Sequence, residues 1–126
     1  MSHYDQFRGQ EYNCFASGAQ KEVKDKPRFD LIPPEVEASL AAIYSLGTKK
    51  YADRNWEQGL PFSVCVAALK RHLNKFELGQ AINTEDGDKY HLEHVLWWAA
   101  ALVTFVQRGR QDLNDLPAYQ SKEEHV

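Results

Sequence analysis

Two stretches decide how this chain folds: Pro61–Gly79, PFSVCVAALKRHLNKFELG, and His91–Gly109, HLEHVLWWAAALVTFVQRG. In the first, Phe62, Val66, Leu69, Leu73 and Phe76 step by four, three, four and three, an apolar stripe with the period of an α-helix. Pro61-Phe62-Ser63 opens that helix and Gly79 closes it. The second stretch belongs to a helix expected from about Asp88 to Gly109. From Val95 to Val106 (VLWWAAALVTFV) it is apolar nearly all the way round, which marks the central helix of the packing. Twelve such residues fall short of the roughly twenty that a membrane span needs, so this is a core helix.

Upstream, Pro33-Pro34 followed by Glu35 and Glu37 starts a further helix, because proline fits the first turn and acids there favour the helix dipole. Val36, Leu40, Ile43 and Tyr44 carry its apolar face, and Gly47 with Lys49-Lys50 marks its end. No stretch alternates convincingly as a strand. The expected fold is all-α, a small helical bundle. Its central helix has more apolar surface than two neighbours cover, so a homo-oligomer (dimer or tetramer) is expected to complete it; the N-terminal arm wrapping that surface is the alternative.

The 126 residues suit one domain, and 26% charged with 43% hydrophobic residues excludes disordered, collagen-like and coiled-coil chains. Fifteen basic against eighteen acidic residues give a net charge of −3, with no strong pull toward nucleic acid or an anionic membrane. Cys14 and Cys65 make no disulfide framework and nothing at the N-terminus looks like a signal peptide, so a reducing cytoplasm is expected. Residues 1–25 read as an irregular N-terminal arm, 26–110 as the helical domain and 111–126 as a polar, frayed tail.

Three places can carry chemistry. His91 and His94, three apart on a helix, project from one face and could share a divalent cation, or simply hydrogen-bond to a neighbouring helix. The acidic turn Asn83-Thr84-Glu85-Asp86-Gly87-Asp88 feeds into them, and oxygen ligands on a turn suit Mg²⁺ or Mn²⁺; one of its acids is equally a helix cap. The metal ligands expected are Glu85, Asp86, Asp88, His91 and His94, with His72 and Glu77 of the preceding helix close to the same end as catalytic groups. The connection Lys49–Gly59, KKYADRNWEQG, offers Lys49, Lys50 and Arg54 for phosphate, and Asn55 with Trp56 beside them. Trp56 could stack on a base or anchor the core. Lys26, Arg28 and Arg71 add positive charge, so a polyanionic small molecule such as a nucleoside triphosphate is the expected ligand. There is no GxGxxG, P-loop, CxxC pair, GxSxG elbow or His-Asp dipeptide.

The segments Lys26–Glu35, Gly47–Tyr51, Arg54–Gly59, Arg71-His72-Leu73 and His91-Leu92-Glu93-His94, taken in this order, resemble the phage and bacterial dATP/dGTP diphosphohydrolase N-terminal family, related in idea to the MazG-like all-α nucleotide pyrophosphohydrolases. The resemblance covers roughly residues 18–108. It implies a helical, metal-dependent enzyme that cleaves dGTP or dATP to monophosphate and pyrophosphate, in nucleotide-pool control during phage replication in the host cytoplasm. His72, His91 and His94 match family histidines, Glu85 with Gly87 matches its acidic turn, and Arg54, Asn55 and Trp56 match its basic-aromatic connection. Gln80 and Asn83 stand where the family pattern favours acids, and the ExxE and ExxD helices of MazG-like enzymes are not present in clean form. Each lost carboxylate removes a hard oxygen ligand, which motivates the alternative of a non-catalytic, nucleotide-sequestering protein in phage–host conflict.

Overall fold

The computed structural model describes residues 12–22, 24–83 and 89–118, which fall into two compact units, Met1–Pro33 and Pro34–Val126. The first unit holds a hairpin in which β1 (Tyr12–Cys14) pairs antiparallel with β2 (Gln20–Glu22), Tyr12 opposite Glu22. Gly18 turns it at φ 90°, where a side chain is strained, and donates its N–H to the Phe15 carbonyl. The segment expected as an irregular arm therefore contains paired strands. Three residues per strand are too few to leave an alternating signature, so the turn sets the pairing. A 3-10 turn at Phe29–Leu31 follows.

The second unit is helical. α1 (Pro34–Gly47) starts on its proline with Glu35 and Glu37 in the first turn, and beyond Gly47 the chain tightens into turns at Thr48–Tyr51. α2 (Phe62–Glu77) and α3 (His91–Gln107) pack on each other over their length, and α1 packs on α3. A short antiparallel ladder, β3 (Ile82–Asn83) with β4 (Lys89–Tyr90), joins α2 to α3. The all-α expectation holds for the body of the chain, and the two short ladders are its only strands among the described residues. No helix among those residues is long and apolar enough to cross a membrane.

The core is built from Phe62 and Cys65 of α2 with Ala101 and Phe105 of α3. Phe62 and Phe105 stack with centroids 6.5 Å apart. Trp56, Leu60, Trp97, Leu113 and Leu116 close over them, and each fully buried large side chain contributes roughly 1.5–3 kcal/mol. The buried face of α2 departs from the expected stripe. Phe62, Cys65 and Ala68 are inside, whereas Leu73 and Phe76 lie 36% and 42% exposed. Cys65 and Ala68 of α2 and Ala101 of α3 are small residues on the buried faces, and the bulkier Leu73 and Phe76 are left on the flank.

The segment from Gln111, expected to fray, is docked as far as Leu116. Leu113 and Leu116 pack on the core. The Asp115 carboxylate accepts hydrogen bonds from the Ser63 N–H (2.8 Å) and hydroxyl (2.5 Å), capping the first turn of α2 from the far end of the unit.

Candidate functional site

A cavity of about 1100 Å³ opens in the helical unit. The end of α1 (Ile43–Gly47), Thr48 and residues 50–57 of the connection, Ala68, Arg71 and His72 of α2, and His94, Trp97, Trp98 and Thr104 of α3 line it, with Arg108 at the C-cap of α3. Its size suits a nucleotide.

One wall is aromatic. The rings of Tyr44, Trp56 and Trp97 form a triangle with centroids 5.7 Å apart on each side, and Trp56 also lies 5.7 Å from Phe105. Trp56 packs against the core, as one of the two sequence alternatives has it, and also lines the cavity. The indole N–H of Trp97 is buried and has no hydrogen-bond partner among the described residues, a donor whose burial costs about 1–3 kcal/mol until an acceptor meets it.

A second wall carries imidazole. His72 and His91 approach Nδ1 to Nδ1 at 2.9 Å, so one ring donates and the other accepts. His94 stacks on His72 at 4.5 Å with the rings nearly parallel. His91 and His94 are 2% and 6% exposed and His72 is half-buried, so three histidines from two helices form one cluster. The two possibilities left open by the sequence are resolved in part: His91 does hydrogen-bond to the neighbouring helix. No group of three or more His, Cys, Asp or Glu among the described residues is arranged to hold a metal ion. Glu85, Asp86 and Asp88, the expected carboxylate ligands, lie outside the described residues, as does Gly87.

The third wall is basic. Lys50, Arg54, Arg71 and Arg108 line the cavity against two acids, Asp53 and Glu57. The Glu57 side chain, 16% exposed, accepts from Arg108 at 3.0 Å and from Arg54 at 3.3 Å. Burial pushes its carboxyl upward, but the hydrogen bonds and charges of Arg108 and Arg54 outweigh that and hold it below the usual glutamate value. Burial, with the Glu57 charge adding to it, raises the Tyr44 hydroxyl. Arg54 has left-handed backbone, φ 61° and ψ 18°, where it enters the 3-10 turn Asn55–Gln58. Such a conformation in a residue other than glycine costs of order 1–3 kcal/mol and tends to be found at binding sites.

Of the residues singled out in the sequence, Lys50, Arg54, Asn55, Trp56, Arg71, His72 and His94 line this cavity. His91 stands behind His72. Lys49 and Glu77 are exposed and outside the lining. Lys26 and Arg28 belong to the first unit, where Arg28 grips Asp30 through two bonds of 2.8 and 2.6 Å. Tyr44, Glu57, Trp97 and Arg108 were not anticipated as site residues. Glu57 stood inside the quoted basic-aromatic connection, but Tyr44 and Trp97 read as ordinary helix apolar positions. Arg108 sat unremarked at a helix end. Cys65 is buried, its thiol pushed up by that burial, and takes no part in the cavity lining.

Fold and cavity together define a helical protein with a nucleotide-sized site that is aromatic on one side and basic on another. The family model for dATP/dGTP diphosphohydrolase, N-terminal, matches residues 16–115, and the chain belongs to that family. No curated protein and no solved structure matches it.

Proposed function

We propose that this chain is a nucleoside triphosphate pyrophosphohydrolase acting on purine deoxynucleoside triphosphates, dATP or dGTP, with monophosphate and pyrophosphate as products. The observation that carries this is the meeting of imidazole, aromatic and basic walls in one cavity of about 1100 Å³. Membership of a family named for dATP/dGTP diphosphohydrolase supports the substrate class. The purine lies against the Trp56–Trp97 wall, where the buried Trp97 N–H meets one of its acceptors. Arg54, Arg71, Arg108 and Lys50 neutralise the phosphate oxygens. His72, oriented by its bond to His91, accepts the proton of the water that attacks phosphorus; Glu77, the other catalytic candidate, lies outside the lining.

Mg²⁺ or Mn²⁺ belongs to this proposal as the cofactor, with Glu85, Asp86, Asp88, His91 and His94 as the residues that would hold it; when bound it would supply charge neutralisation at the phosphates. The setting proposed is phage nucleotide-pool control in the host cytoplasm.

The test incubates the protein with NTPs and dNTPs and either cation, separating products by ion exchange. Monophosphate plus pyrophosphate from dATP or dGTP is the expected result. His72→Ala should lower turnover by about 10²–10⁴-fold with an unchanged helical circular dichroism spectrum; wild-type turnover in that variant would remove His72 from the mechanism. The Gln80 and Asn83 amides favour the second proposal, nucleotide sequestration. Under it every nucleotide returns intact and one co-elutes with the protein.

A further inference from the structure

We infer that Glu57 is a positioning residue which joins Arg54 and Arg108 into a two-guanidinium clamp for the polyphosphate end of the ligand. This rests on the cavity being a nucleotide site, and it assigns to Glu57 and Arg108 a role that neither spacing nor composition suggested. Arg54 and Arg108 are far apart in the chain, one in the connection after α1 and the other at the C-cap of α3. A single carboxylate binds both, Arg108 at 3.0 Å and Arg54 at 3.3 Å. That carboxylate is mostly covered, with 16% of its side chain exposed, while the two guanidinium side chains stand 78% and 55% exposed.

The burial pattern sets the roles. A guanidinium has five N–H donors, so pairing with one carboxylate leaves several for an anion. Held on one anchor, the two forks lose less side-chain freedom on binding than two independent arginines would, and less entropy is spent on ligand capture. Arg54 accepts the left-handed backbone that points the connection this way. The clamp carries a net positive charge, two guanidiniums against one carboxylate. It lies toward solvent, whereas the Tyr44–Trp56–Trp97 wall is packed on the core, so a nucleotide entering base first leaves its phosphates at the clamp.

The sign of one substitution separates this from simple electrostatics. If Glu57 were only an anion near a phosphate site, Glu57→Gln would tighten anion binding by removing repulsion. As the anchor of a clamp, its loss weakens binding although the site becomes more positive. Titration calorimetry with inorganic triphosphate, and separately with deoxyguanosine, needs neither turnover nor a metal. We expect Arg108→Ala to weaken triphosphate binding roughly tenfold or more and Glu57→Gln several-fold, with Glu57→Asp recovering part of the loss. Deoxyguanosine binding should stay unchanged in all three.

Tighter triphosphate binding in Glu57→Gln, or unchanged binding in Arg108→Ala, would overturn the clamp. Should Glu57→Gln fail to fold, Arg108→Lys decides: it keeps the charge and loses the fork, so binding falls if a clamp exists and holds if charge alone suffices. Failure of the hydrolase proposal is distinguishable. Arg108-dependent triphosphate binding without dNTP cleavage keeps the clamp and discards turnover. Cleavage with an Arg108→Ala KM equal to wild type does the reverse.

Discussion

At the scale of single residues, Gly59 shows how little of a local requirement is written in composition. It closes the Asn55–Gln58 turn at φ 116°, and a Cβ there would stand 2.8 Å from Arg110 Nη2 and 3.1–3.2 Å from the Leu113 methyls. Gly59→Ala combines an unfavourable backbone with pressure on the docked C-terminal segment. It is expected to cost about 1–3 kcal/mol, read as a lowered thermal midpoint. A midpoint equal to wild type would contradict that account of the turn. His72 gives the complementary lesson. The histidine was legible as a candidate, but the apolar stripe placed Leu73 inward. Only the packing of Cys65 against Ala101 shows that the inward turn of α2 carries His72.

At the scale of elements, the helix bounds were the most legible feature, because caps, prolines and glycines act within a few residues. α2 begins at the expected Phe62 and ends at Glu77, just before the predicted Gly79. Its N-terminal cap was not legible, since Asp115 comes from the other end of the unit. The Ser63 hydroxyl and N–H hold the Asp115 carboxyl below its ordinary 3.8. A carboxyl lowered in the folded state stabilises the fold above the unfolded value, and the contribution disappears as pH falls through the folded value. Asp115→Ala should therefore melt below wild type at neutral pH, and the gap between the two should close as the pH drops below about 4. A gap that stays constant with pH would mean that the charge of Asp115 plays no part. The hairpin Tyr12–Glu22 was illegible for a different reason: its strands are too short to show a period.

At the scale of the molecule, apolar surface remains on both main helices. Val103 and Val106 of α3 are each 53% exposed, and Leu73 and Phe76 flank α2. The homo-oligomer proposed from the apolar breadth of α3 would cover such a face. Light scattering should give a mass that is a multiple of the chain, shifted toward the monomer by Val103→Lys with Val106→Lys. A monomeric wild type would end that proposal. The sequence by itself determined the helical class, the ends of the helices, the family and a set of charged and aromatic candidates, because those follow from spacing over a few residues. Tertiary structure alone decided which side of α2 faces inward, that Tyr44 and Trp97 join Trp56 in one wall, and that Glu57 meets Arg108. Periodicity says that a helix has a buried side. The close approach of small residues at a crossing chooses it, and partners distant in the chain meet only once that choice is made.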